Sequence, residues 1–136
     1  MKENIVESKS LDFAVKCIEL YKHLTFESKE YILSKQMVRS GTSIGANIKE
    51  AVRGQSNADF ISKMSISLKE ASETEYWLTL LEKTNYITPQ QFQSMIADCK
   101  ELIAILTSIT KTAKLNIDKK KCKMRQINFA LRIYNL

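Results

Sequence analysis

A chain of 136 residues with 3 glycines and 1 proline has the size of one domain with a real core, and too little punctuation for a sheet-rich fold with many turns. Its formal charge of +6 is unevenly placed: residues 1–110 hold 13 Lys and Arg against 14 Asp and Glu, net −1, whereas residues 111–136 hold 8 basic residues and only Asp118, net +7. This disfavours a folded body that binds polyanions generically and moves the electrostatic argument to the C-terminus.

Met1–Ser10 is mostly polar and charged, and no apolar run approaches membrane-span length; a cytoplasmic location with no membrane partner is the expectation. Ser10 is suited to cap a first helix with Leu11, Ala14, Val15, Ile18 and Tyr21 on one face and Phe13, Cys17, Leu20 and Leu24 alongside. That apolar arc is wide, and part of it is expected to serve a subunit contact. His23, the only histidine, falls near the end of this helix, where a cationic or dipolar side chain is favoured; with no second histidine, acid–base chemistry has little to stand on.

Thr25–Lys29 reads as a turn with Ser28 as a cap, and a second helix is predicted from about Glu30 to Arg53. Within it Arg39-Ser40-Gly41-Thr42-Ser43-Ile44-Gly45-Ala46-Asn47-Ile48-Lys49-Glu50-Ala51 keeps helical spacing but is small where bulk is expected. Each glycine costs a helix about 1 kcal/mol, and the plausible return is very close approach by another helix. Charged Arg39, Lys49 and Glu50 flank the two glycines too closely for a membrane dimer motif. Gly54 suits a left-handed position after the helix and Asn57 the next cap.

The third helix, Ala58 to about Thr84, has Phe60, Met64, Leu68, Ala71, Leu78 and Leu81 along one seam, which puts Glu75 in a facing position. A carboxylate there needs a partner, and Arg39, Ser43 and Asn47 are the candidates. Ile66, Tyr76, Trp77 and Leu80 form a second stripe, read as an oligomer interface because aromatics are enriched in such contacts. Thr88-Pro89 then restarts the pattern, with Thr capping and Pro at the first helical position. The fourth helix shows Phe92, Met95, Ile96, Cys99, Leu102, Ile103, Leu106, Ile109 and Ala113 at clear 3–4 spacing. Four such helices with short links predict an all-α, antiparallel up-down four-helix bundle over residues 1–115.

Residues 116–136 change character. Lys119, Lys120, Lys121, Lys123 and Arg125 form a charge run, followed by Ile127, Phe129, Leu131 and Ile133 alternating as in a strand, while Met124, Ile127, Leu131 and Tyr134 fit a helix. A disordered basic arm, an added helix and a segment that orders on a protein partner all remain open for this tail. Cys17, Cys99 and Cys122 are odd in number, far apart and without ligand spacing, so free thiols are expected.

The stretch from Arg39, through Ser43-Ile44-x-x-Asn47-Ile48-x-Glu50-Ala51, to Arg53, Phe60 and the Glu73-Thr74-Glu75 group before Leu80-Leu81 resembles the 23S ribosomal RNA intervening-sequence proteins. These are small four-helix bundles related to the accessory protein of diversity-generating retroelements. The resemblance covers roughly residues 8–115, and Ser43–Ala51 is its most specific part. Members usually have Pro where this chain has Gly45, and Ala is common where Gly41 stands. The resemblance implies a bundle assembled as a ring, typically a homopentamer, with proposed nucleic-acid binding and no known catalysis.

The small and charged residues of the motif, Ser43, Asn47, Glu50, Glu73 and Glu75, are read first as a structural polar network within or between protomers. A metal site on these carboxylates would need the Glu-x-x-His pattern, and His23 is far from them in sequence. No cofactor and no enzymatic activity are expected, since no nucleophile–base pair, phosphate loop or ligand set appears. The leading expectation is an oligomeric, non-enzymatic bundle that binds RNA or DNA through Lys119, Lys120, Lys121, Lys123 and Arg125, with Arg39, Lys49, Arg53 and Lys63 as secondary candidates on the body. The alternative is a protein-binding scaffold or adaptor with no nucleic-acid role.

Overall fold

In the computed structural model, which describes residues 3–134, the chain forms four α-helices: α1 (Glu3–Phe26), α2 (Leu33–Val52), α3 (Asn57–Lys83) and α4 (Pro89–Ile133). No strand occurs among the described residues. Successive helices run antiparallel: Gly41 faces Cys17 while Gly45 faces Ser10, Ser67 reaches Ile44 while Thr74 reaches Ser40, and Lys16 pairs with Asp98 while Lys9 pairs with Glu101. Each helix packs on two neighbours, α1 and α3 lying across a diagonal, as do α2 and α4. This is the up-down four-helix bundle that the periodicity predicts.

The core is an apolar column of Phe13, Cys17, Leu24, Met37, Ile44, Ile48, Met64, Leu78, Leu81, Leu102 and Leu106. Between α2 and α3 the layer is made of small hydroxyl residues. Ser40 and Thr74 are both fully buried, their hydroxyls 2.8 Å apart, with the carbonyls of Met37 (3.2 Å) and Glu70 (2.7 Å) in reach. The Ser67 hydroxyl donates to the Ile44 carbonyl at 2.8 Å. Every buried side-chain N or O atom among the described residues has a partner, so the layer allows close backbone approach without orphaned polar groups.

Helix ends follow specific chemistry. Thr88 and Gln91 exchange hydrogen bonds in a capping box with Pro89 in the first turn of α4, as the sequence suggests. At the end of α3, Asn85 takes a left-handed φ of 66°, and the bonds from Tyr86 N–H to the Leu81 carbonyl (2.9 Å) and from Asn85 N–H to the Glu82 carbonyl (3.0 Å) form a Schellman turn.

Several local expectations are corrected. Ser10 is no cap: α1 begins at Glu3, and Ser10 is buried mid-helix, its hydroxyl bonded to the Glu7 carbonyl at 2.9 Å. The α3 cap is Ser56, whose side chain accepts from Asp59 N–H, rather than Asn57, and Gly54 has no positive φ. Glu30, not Ser28, organises the start of α2. Its carboxylate accepts from the N–H groups of Ile32 (3.0 Å), Leu33 (2.8 Å) and Ser34 (2.7 Å), three donors that the first turn would otherwise leave open.

Burial pushes the Glu30 carboxyl upward, but the donors from Leu33, Ser34 and Ile32 together outweigh it and hold the group below its usual value. A depressed folded pKa means that the stabilisation is fully present above the unfolded value near 4.5 and is lost as pH falls through the lower folded value. Glu30→Gln is expected to cost about 1–2 kcal/mol at neutral pH. In urea unfolding, the difference from the parent should shrink between about pH 5 and pH 3; a difference independent of pH would show that the charge is not what caps α2.

α4 is the outlier. Its 45 residues span about 68 Å at 1.5 Å per residue, while the other helices have 20 to 27. Thr110 is its last buried residue, Ala113 and Ile117 are half-buried against the first turn of α3, and Asp118–Tyr134 is exposed throughout. The basic segment beginning at residue 116 is thus a continuous helical extension of the bundle, projecting roughly 25 Å past it.

Candidate nucleic-acid interface

Four cations on the body of the bundle, Lys9, Lys16, Arg39 and Lys63, are held in ion pairs. Lys9 pairs with Glu101, Lys16 with Asp98 at 2.6 Å, and Lys63 with Glu50 at 2.8 Å. Arg39 lies between Glu70 (3.5 Å) and Glu73. The Glu73 carboxyl is held below the usual range chiefly by the hydrogen bond from Trp77 Nε1 at 3.1 Å, with help from Arg39 and against the effect of burial. Of the four body residues proposed for nucleic acid, Arg39 and Lys63 are therefore each compensated by a carboxylate. Lys49 and Arg53 are exposed and outside any ion pair among the described residues.

The projecting part of α4 is different. Lys119, Lys120, Lys121, Lys123, Arg125 and Arg132 are all exposed, and none is paired with a carboxylate among the described residues. On the helix, Lys119 and Lys123 lie on one flank, while Lys121, Arg125 and Arg132 lie on the opposite one. Helical order fixes these charges on a rod that reaches away from the bundle. A rod of this kind presents cations on two sides.

The polar residues of the motif do not form one network within the protomer. Ser43 donates to the Arg39 carbonyl (2.7 Å), Asn47 to the Ser43 carbonyl (2.8 Å), and Glu50 meets Lys63 on the surface. Glu75 is not in the seam: Thr74 occupies it and is buried, while Glu75 is half-exposed and takes no part in a side-chain hydrogen bond with Arg39, Ser43 or Asn47. The buried polar contacts that cross between helices run through Ser40, Ser67 and Thr74, together with Cys99, whose thiol lies 3.2 Å from the Ala71 carbonyl. Their signal in the sequence is a hydroxyl residue at the seam spacing of α3, which a search for apolar residues passes over.

Of the second stripe on α3, Tyr76 (57% exposed) and Ile66 (38%) face solvent, whereas Trp77 and Leu80 are half-buried. Tyr76 and Trp77 stack edge to face with centroids 5.1 Å apart. Cys17 and Cys99 are buried with their thiols pushed up to about 12 by burial, Cys122 is exposed, and all three are free. Among the described residues, no group of three metal-ligating side chains occurs and no helix is long and apolar enough to cross a membrane.

The family model described as 23S rRNA-intervening sequence protein matches residues 2–108. The chain belongs to this family. A crystal structure of a protein of unknown function from the S23 ribosomal protein family of Bacteroides thetaiotaomicron VPI-5482 is similar throughout the bundle, with a TM-score of 0.80 and 58% identity over 82% of this chain and 99% of that one. No curated protein matches. The family match stops at residue 108, so the six unpaired cations of the projecting arm lie outside the part of the chain that the family model matches.

Proposed function

We propose that this 23S rRNA-intervening sequence family member is a non-enzymatic, oligomeric RNA- or DNA-binding protein whose phosphate contacts are made by the projecting half of α4. One observation carries the reading: Lys119, Lys120, Lys121, Lys123, Arg125 and Arg132 are gathered on one exposed, projecting helix, and none is paired with a carboxylate among the described residues. Counterion release by such a rod supplies affinity without sequence choice. Resemblance to ring-forming relatives supports a homopentamer, which would carry five such arms and concentrate positive charge that one protomer lacks. A cytoplasmic location goes with this reading.

Fluorescence titration of a structured RNA hairpin and a duplex DNA against the full chain, from 50 to 300 mM salt, tests it. Affinity is expected to fall steeply with salt for both ligands. A scaffold that binds only protein, the reading favoured by the apolar residues on the same arm, predicts no saturable binding even at 50 mM salt.

A further inference from the structure

The projecting arm is apolar as well as basic. Met124, Ile127, Phe129, Leu131, Ile133 and Tyr134 are 40–72% exposed, a concentration of bare hydrocarbon that phosphate contacts do not cover. Much of it continues the seam of the bundle. α4 presents Ile96, Cys99, Ile103, Leu106, Thr110, Ala113 and Ile117 to the core at alternating steps of three and four, and the same steps lead on to Lys120, Met124, Ile127, Leu131 and Tyr134. α3 begins at Asn57, beside Ala113–Lys120, so beyond that level the seam has no partner in its own bundle.

The bundle carries an uncovered stripe of its own. On α1, Leu11, Val15 and Ile18 are 65%, 47% and 40% exposed at i, i+4 and i+7. Beside them a groove of about 390 Å³ runs between α1 and α2, with Leu11, Ala14, Thr42, Gly45 and Ala46 in its walls. Asp12 and Glu19 flank the stripe on one side, while Glu7 and Lys49 offset each other in the groove lining; none of the four is in an ion pair among the described residues.

We infer that the projecting end of α4 from one copy lies along the α1 face and α1–α2 groove of a second copy. The seam residues Met124, Ile127 and Leu131 cover Leu11, Val15 and Ile18, and Lys119 and Lys123 turn toward Asp12 and Glu19. Charge selects this occupant. Pairing two arms with each other would bring together six cations from each, opposed only by Asp118, whereas residues 1–110 are net negative. Donor and acceptor surfaces differ, so the contact is head-to-tail and propagates into a closed ring or a chain. Lys121, Arg125 and Arg132, on the other flank, stay outward. The contact names the surfaces of the oligomer proposed above and can fail without the nucleic-acid reading failing, since mass and RNA affinity are measured separately.

Light scattering of the full chain over a concentration series tests it, with circular dichroism confirming that each surface variant stays helical. The parent is expected to be oligomeric. The double variants Ile127→Glu/Leu131→Glu and Val15→Glu/Ile18→Glu should each weaken association at least about tenfold. Lys119→Glu/Lys123→Glu and Asp12→Lys/Glu19→Lys should each weaken it, and the four changes in one chain should recover most of the loss. The inference is overturned if the arm variant keeps the parent's mass, if arm variants dissociate while α1 variants do not, or if the combined reversal recovers nothing. Binding of a monomeric full chain to phosphatidylserine vesicles would equally overturn it, by assigning the apolar stripe to a lipid surface.

Discussion

Gly41→Ala is expected to destabilise the bundle although alanine is the better helix former. A Cβ at this position would lie 2.5 Å from Cys17 Sγ, 3.2 Å from Cys17 Cβ and 3.7 Å from Thr74 Cγ2, at a point where α2 is pressed between α1 and α3. Helix propensity favours alanine by about 1 kcal/mol, but an extra methyl in a close-packed core costs about 1–3 kcal/mol when its neighbours cannot move. Cys17 is fully buried and so has little room to give way. The net cost should therefore reach about 2 kcal/mol for alanine and exceed about 3 kcal/mol for leucine, a large part of a typical stability of about 5–15 kcal/mol. Cys17→Ala removes the sulfur that makes the closest contact, so the double variant Cys17→Ala/Gly41→Ala should be clearly more stable than the sum of the single changes allows. Urea unfolding of the four proteins measures this coupling, with about 1 kcal/mol or more expected. Strict additivity would place the constraint at Gly41 somewhere other than Cys17. Gly45→Ala is the internal control: its Cβ would meet Ser10 Oγ at 3.2 Å and otherwise only ordinary contacts, so propensity should roughly offset crowding.

That contrast also marks how far the residues speak for the fold. Periodicity locates four helices, the Thr88-Pro89 start of α4 and the tight packing at Gly41, because each rests on apolar spacing or on a residue with one strong local preference. The register of α3 is harder to read. Its buried residues are Met64, Ser67, Ala71, Thr74, Leu78 and Leu81, an unbroken alternation of three and four, yet an apolar reading takes Leu68 in place of Ser67 and so brings Glu75 into the seam in place of Thr74. Hydroxyl residues fit there because α2 approaches closely and the backbone carbonyls of Ile44 and Glu70 accept their protons. Glu30 is missed for a related reason: a glutamate three residues before a helix looks like surface until its three N–H partners are seen. In the tail, the alternation of Ile127, Phe129, Leu131 and Ile133 suits a strand, but extending a helix that is already formed needs no new nucleus. The arm's charges are legible in the sequence; their freedom from carboxylates follows only once α4 is seen to extend past the bundle.

Replacing Lys119, Lys120, Lys121 and Lys123 together with alanine should produce the largest functional change. If the four cations of the arm that do not turn toward a second copy, Lys120, Lys121, Arg125 and Arg132, each neutralise one phosphate, binding to duplex DNA varies with salt with a log–log slope of about −3.6, and an increase from 50 to 200 mM salt lowers affinity by roughly 150-fold. With Arg125 and Arg132 alone remaining, the slope should flatten to about −2. The variant should therefore lose most at low salt and approach the parent's affinity as salt rises. Alanine is itself a strong helix former, so the arm keeps its helix, and light scattering of the same variant separates lost charge from lost assembly. Arg39→Ala and Lys63→Ala should change the slope by less than one unit, because each removes a cation that already faces a carboxylate of its own bundle. An unchanged slope in the four-lysine variant would locate the phosphate contacts on the bundle, where Lys49 and Arg53 are the two named candidates without carboxylate partners among the described residues, and a ring would then bring several copies of them to one ligand.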